Sequence, residues 1–133
     1  MKPKILVVDD EERNRRLMDA LLVPLGYDVI LAADGEEAFR KVQETPPDVI
    51  LLDVMMPGIN GFDVTKKLKE NEETKIIPIV MVTALQDVES RIKAIEAGAD
   101  DFLSKPVDKT ELQARVRSLV QVKAYNDHMR DYQ

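Results

Sequence analysis

The sequence predicts an α/β domain built on one parallel, doubly wound sheet. Three observations carry that expectation. Apolar runs of three or four residues recur along the chain at Ile5–Val8, Val29–Leu31, Val49–Leu52 and Ile79–Val82. Such runs are too short for buried helices and read as strands covered on both faces. Each is followed by a stretch with helical spacing, and alternating strands and helices specify a parallel sheet with right-handed crossovers. Finally, several runs end on residues with chemistry, Asp9-Asp10, Asp53 and Thr83, and the carboxyl ends of strands in open parallel sheets are where ligands bind.

Taken in order, Ile5-Leu6-Val7-Val8 is the first strand, followed at once by Asp9-Asp10-Glu11-Glu12. A helix is expected from about Glu11 to about Leu25, with Leu17, Leu21 and Leu22 on its inner face, ended by Pro24 and Gly26. Asp28–Leu31 is the second strand and Ala32–Gly35 the turn after it. The second helix, Glu36 to Glu44, turns Ala38, Phe39 and Val42 inward and stops before Pro46-Pro47. Val49–Leu52 is the third strand, bounded by Asp48 and Asp53, and Met56-Pro57-Gly58 turns the chain toward a helix from about Phe62 to Glu70. Ile79–Val82 is the fourth strand, with Thr83-Ala84 at its end. A fourth helix, Val88 to Ala97, ends at Gly98, a position suited to a left-handed cap. A weak fifth strand lies near Asp101–Leu103, and a last helix starts at Asp108 or Lys109 and runs toward the end of the chain.

Composition narrows the classes. The 133 residues suffice for one domain with a real core. Apolar residues are 44% and charged residues 33%, an ordinary globular balance. No apolar run approaches the ~18 residues of a membrane span, and Ile5–Val8 is too short for the apolar core of a signal peptide. The absence of cysteine excludes disulfides, thiolate metal sites and cysteine nucleophiles, and fits a cytoplasmic location. Nineteen Lys+Arg against 25 Asp+Glu, a net charge of −6, argues against direct nucleic-acid binding.

The expected strand order is the flavodoxin-like 2-1-3-4-5, which places the switch point between strands 1 and 3. Asp9, Asp10 and Asp53 then meet in one crevice. Three carboxylates in a small volume repel one another and call for a cation. Oxygen-only ligands in an open site suit Mg²⁺. The structural alternatives are that Asp53 caps a turn and Asp10 caps the first helix. Thr83 adds a hydroxyl, Ala84 leaves the approach open, and Lys105 adds an ammonium. Together these groups can stabilise a phosphoryl group in transit. Lys105-Pro106 is a candidate cis peptide that would aim the lysine inward.

These residues, with Met56-Pro57, Gly61 and the run Gly98-Ala99-Asp100-Asp101-Phe102, resemble the receiver domain of bacterial two-component response regulators over about residues 3 to 121. The resemblance implies that Asp53 accepts a phosphoryl group from a histidine kinase, a histidine phosphotransfer protein or a small phosphodonor. It implies that Asp10, Asp53 and the Met55 carbonyl bind Mg²⁺, with Asp9 acting through water or by orienting the others. Thr83 and Lys105 would contact phosphoryl oxygens, and Phe102 would be the aromatic that turns inward when Thr83 moves. The surface of the fourth helix, fifth strand and fifth helix would change as a result. Met55 and Leu85 flank the phosphoryl site and cannot orient a water, so slow hydrolysis of the acyl phosphate is expected.

Leu112, Val116, Leu119 and Val120 give the last helix an inward face. Val122, Tyr125, Met129 and Tyr132 then recur at spacings of 3, 4 and 3, the start of a coiled-coil pattern. Residues 1–121 are therefore expected to be the receiver, and 122–133 a helical extension leading to an output domain, with a homodimer on phosphorylation as one outcome. Receivers with such helices often precede cyclic-dinucleotide synthesis or breakdown domains, again by resemblance. Two rival readings are a scaffold that needs no phosphorylation and a Mg²⁺-dependent aspartyl-phosphate phosphohydrolase. The second expects Asp-x-Asp after the first strand and a cap domain, neither of which this chain provides.

Overall fold

A computed structural model describes residues 2–84 and 87–131, with side chains through Met129. The strands are β1 (Lys4–Val8), β2 (Asp28–Ala32), β3 (Val49–Leu52), β4 (Ile79–Thr83) and β5 (Asp101–Ser104). The α-helices are α1 (Glu12–Leu22), α2 (Gly35–Glu44), α3 (Gly61–Glu70), α4 (Val88–Ala97) and α5 (Lys109–Asp131). All strand pairs are parallel, as the alternation implies, and the order is the expected 2-1-3-4-5. No helix among the described residues is long and apolar enough to cross a membrane.

Strand residues alternate between two apolar layers, because successive side chains point to opposite faces. Leu6, Val8, Ile50, Leu52, Ile79 and Met81 face α2, α3 and α4, meeting Ala38, Val42, Val64, Leu68 and Ala94. Ile5, Val7, Val49, Leu51, Val80 and Leu103 face α1 and α5, meeting Met18, Leu22, Leu112 and Val116. Each fully buried leucine or isoleucine contributes about 1.5–3 kcal/mol relative to exposure. The sheet is thus covered on both sides, and its carboxyl edge is held rigidly.

Two expectations need correction at α1. Leu17 is 52% exposed, and Met18 takes the inward position beside Leu22. Leucines at 17, 21 and 22 fit one stripe, but the helix is rotated so that 18 and 22 face the sheet. The helix also ends early: Val23–Leu25 is a separate 3₁₀ turn with Pro24 at its start, closed by Gly26. Gly98 caps α4 with φ +100°, as expected, its N–H bonded to the carbonyls of Ala94 and Ile95. The Lys105–Pro106 peptide is cis.

Candidate functional site

Backbone pairing alone brings the rim residues together. β1 and β3 run in register with Val8 opposite Leu52, so the next residues, Asp9 and Asp53, sit side by side. The Asp53 N–H donates to the Val8 carbonyl at 2.9 Å, and the Asp9 N–H to the Ala32 carbonyl at 3.1 Å. On the other side Thr83 lies opposite Ser104, and the Lys105 N–H donates to the Thr83 carbonyl at 2.9 Å. Every residue of the cluster follows or ends a strand whose neighbour fixes its height.

Asp9, Asp10 and Asp53 each offer an oxygen within 4.8 Å of the other two. Asp9 and Asp53 are buried and Asp10 is exposed. The Lys105 ammonium lies 2.9 Å from Asp9 Oδ2 and 3.5 Å from Asp53 Oδ2, so one cation faces two carboxylates. Burial, with further repulsion from Asp9 and Asp10, raises the Asp53 pKa to about 6, although Lys105 and the Met55 N–H oppose that rise. Burial works against the Lys105 charge, but its hydrogen bond to Asp9 and the charge of Asp53 outweigh it and hold Lys105 above the usual lysine range. A cluster of three carboxylates, two of them buried, that a single ammonium does not neutralise fits a hard divalent cation. The donors are all oxygen, with no histidine or cysteine among them, which suits Mg²⁺.

The other expected residues are also here. The Met55 N–H points at Asp53 Oδ1 at 3.4 Å, while its side chain is 64% exposed. Thr83 is buried at the end of β4, and Ala84 beyond it is exposed. Leu85 lies outside the described residues. Phe102, half-buried on β5, packs against the core with the Arg91 guanidinium 5.8 Å from its ring centre. Asp10 borders an open cleft of about 450 Å³, shared with Asp34, Glu36, Pro57 and Ile59. The cap reading of Asp10 does not hold: the N-cap of α1 is Glu11.

Two contributors escaped the sequence reading, and a third, Gly61, was named there without its physical reason. Arg15 Nη1 donates to the Asp9 carbonyl at 2.6 Å, and Asn14 Nδ2 reaches Asp9 Oδ1 at 3.4 Å, so α1 steadies the acidic turn. Gly61 packs directly on the backbone carbonyl of Asp53, with Val54 Cα 2.8 Å from where a Cβ would stand. Gly61 was visible as a motif residue, but its reason lies in a contact between segments that no spacing rule reveals.

A sequence profile described as "Response regulator receiver domain" matches residues 5–117. Response regulator PleD of Caulobacter vibrioides is 49% identical over 130 residues, covering 98% of this chain and 29% of that protein. The alkaline phosphatase synthesis transcriptional regulatory protein PhoP of Bacillus subtilis is 43% identical over 120 residues, 90% of this chain and 49% of PhoP. Among solved structures, Vibrio cholerae chemotaxis protein CheY4 superposes with a TM-score of 0.85 at 34% identity, covering 90% of this chain and 99% of that one. The chain thus spans less than half the length of the two curated relatives.

Proposed function

This chain belongs to the response regulator receiver domain family, and on that premise we propose that it is the phosphorylation switch of a two-component pathway with Asp53 as acceptor. The observation that carries the proposal is the pairing of Asp53 with two further carboxylates and one lysine at the carboxyl edge of the sheet. A carboxylate oxygen of Asp53 attacks the phosphorus of a phosphohistidine or small acyl phosphate. A P–O bond to Asp53 forms, the bond from phosphorus to the donor breaks, and the donor's imidazole or carboxylate leaves with the electron pair. Asp10, Asp53 and the Met55 carbonyl would hold Mg²⁺, with Asp9 orienting them. Bound there, Mg²⁺ would neutralise charge on the transferring group.

The chain's own groups do the rest. Thr83 and Lys105 contact phosphoryl oxygens, and Ala84 leaves them room. The cleft beside Asp10 gives a donor its approach. Phe102, with Arg91 over its ring, follows Thr83 and alters the face made by α4, β5 and α5; added negative charge biases a two-state element. Residues 1–121 act as receiver and 122–133 as the lead into an output domain, which the greater length of the relatives supports. The donor is a histidine kinase or histidine phosphotransfer protein, and the chain works in the cytoplasm as a regulator rather than an enzyme. A phosphorylation-independent scaffold is disfavoured by the presence of Asp10, Asp53, Thr83 and Lys105 together.

Beryllofluoride, which mimics an acyl phosphate, tests the switch. With Mg²⁺, wild type is expected to bind it and sediment as a dimer, while Asp53→Asn does neither. Failure of wild type to bind would support the scaffold; binding without a mass change would move the output to another partner. Lifetime is a separate test. The Met55 side chain is exposed beside Asp53 and carries no group that could orient water, so Met55→Asn or Met55→Glu is expected to shorten the phosphorylated state. An unchanged decay rate would remove Met55 from the account.

A further inference from the structure

Among the described methionines, Met18, Met56 and Met81 are buried, whereas Met55 is 64% and Met129 44% exposed. Val54 and Met56, on either side of Met55, are 1% and 9% exposed and pack into the core. The thioether between them is left on the open side of the loop. Its backbone is tied to the acceptor, since the Met55 N–H points at Asp53 Oδ1 at 3.4 Å and the Val54 carbonyl accepts the Gly61 N–H at 2.9 Å. A solitary exposed apolar residue is ordinary on a protein surface. Its place, two residues after Asp53, is what gives this one a chemical consequence.

The chain has no cysteine, so the Met55 sulfur is the group at this rim that a peroxide oxidises most readily. With hydrogen peroxide, a sulfur lone pair attacks one peroxide oxygen, an S–O bond forms and the O–O bond breaks. The proton on the transferred oxygen passes to the departing oxygen, which leaves as water. Sulfur loses two electrons and the peroxide gains them. The product, methionine sulfoxide, is polar where the thioether was apolar, and methionine sulfoxide reductases convert it back. A thioether sulfur is only a weak hydrogen-bond acceptor, whereas the sulfoxide oxygen accepts a hydrogen bond from water.

We propose that Met55 is a reversible modification site: a peroxide converts its thioether to the sulfoxide, which draws water to the acyl phosphate on Asp53 and shortens its lifetime. The site rests on Asp53 being the acceptor. Hydrolysis needs a water held against phosphorus on the side away from the Asp53 oxygen. The water oxygen bonds to phosphorus, the P–O bond to Asp53 breaks, and the carboxylate leaves with the electron pair while both water protons stay on the phosphate. The unoxidised Met55 offers that water no strong acceptor and covers its approach with an apolar chain. The sulfoxide oxygen supplies the acceptor, so a side chain that shields the site becomes one that positions water. A peroxide would then end the signal at the receiver itself, without acting on the kinase.

To test this, the full chain is treated with hydrogen peroxide, freed of it, phosphorylated with acetyl phosphate and Mg²⁺, and freed of the donor. Peptide mass locates the oxidised methionines. Met55 and Met129 are expected to gain oxygen before Met18, Met56 and Met81. The phosphorylated state should then decay roughly two- to tenfold faster than in untreated chain, the effect of one ordinary hydrogen bond to the attacking water. Met129→Leu should show the same acceleration and Met55→Leu none, each compared with its own untreated sample. Methionine sulfoxide reductase should return the oxidised wild type to its original rate. Oxidation of Met55 no faster than of the buried methionines, an unchanged or slower decay once it is oxidised, or equal acceleration in Met55→Leu overturns the proposal alone. An untreated chain that takes up no phosphoryl group overturns the acceptor reading itself, and the Met55 site falls with it.

Discussion

Asp53→Asn is expected to fold more stably than the wild type in metal-free buffer near pH 7, and to lose most of the stabilisation that Mg²⁺ gives. The Asp53 pKa is raised from 3.8 to about 6, chiefly by burial. A carboxyl group whose pKa is higher in the folded state favours folding when protonated. Its contribution is fully present below about pH 4 and is lost as the pH rises through about 6. At pH 7 the charged side chain therefore costs up to about 3 kcal/mol, and asparagine removes that cost while keeping the shape. The midpoint of thermal unfolding should rise by roughly 5–10 °C. Mg²⁺ reverses the ranking, because an ion that binds only the folded state stabilises in proportion to its affinity, and the variant lacks one of three carboxylates. Thermal unfolding in EDTA and in Mg²⁺, each from pH 4 to 8, checks both halves. A variant less stable than wild type in EDTA at pH 7, or an equal gain from Mg²⁺ in both proteins, would contradict this electrostatic picture.

Gly61→Ala is expected to destabilise the domain by about 1–3 kcal/mol or more, the range for overpacking a rigid contact. The added methyl group would collide with the Asp53 carbonyl oxygen and stand 2.8 Å from Val54 Cα and 3.1 Å from the Asp53 carbonyl carbon. All three are backbone atoms just after β3, so no side chain can swing aside. A gain in helix propensity at the start of α3, at most about 1 kcal/mol, does not offset this. The backbone that moves is that of Asp53, the proposed acceptor, so beryllofluoride affinity should fall together with stability. Denaturant unfolding and a beryllofluoride titration on the same variant check the two effects. Wild-type stability would show that the loop yields freely.

The site was legible because it follows from periodicity and topology. Once four apolar runs are read as parallel strands, Asp9, Asp53 and Thr83 fall at one edge; Lys105 joins them only through the weak fifth strand, and the flavodoxin-like strand order is what makes Asp9 and Asp53 neighbours. What could not be read depends on rotation and contact. Leu17 and Met18 are both apolar, and only the docking of α1 on the sheet decides which one is buried. Gly61 looks like any turn glycine until the Asp53 carbonyl is found against it. Lys123 reads as a surface lysine, and Asp48 as a strand boundary, because their pairing joins positions 75 residues apart in sequence (123 − 48) through the fold. Arg15 and Asn14 belong to a polar helix face whose aim toward Asp9 depends on how the chain leaves β1.

The central claim is that Asp53 receives the phosphoryl group, and chemical trapping tests it most directly. The chain is incubated with Mg²⁺ and acetyl phosphate, then treated with borohydride, which reduces an aspartyl phosphate to homoserine, and the modified residue is located by peptide mass. The account predicts homoserine at position 53 alone, with none in samples lacking Mg²⁺ or carrying Asp53→Asn. Homoserine at Asp9 or Asp10, or none anywhere in the wild type, would contradict it.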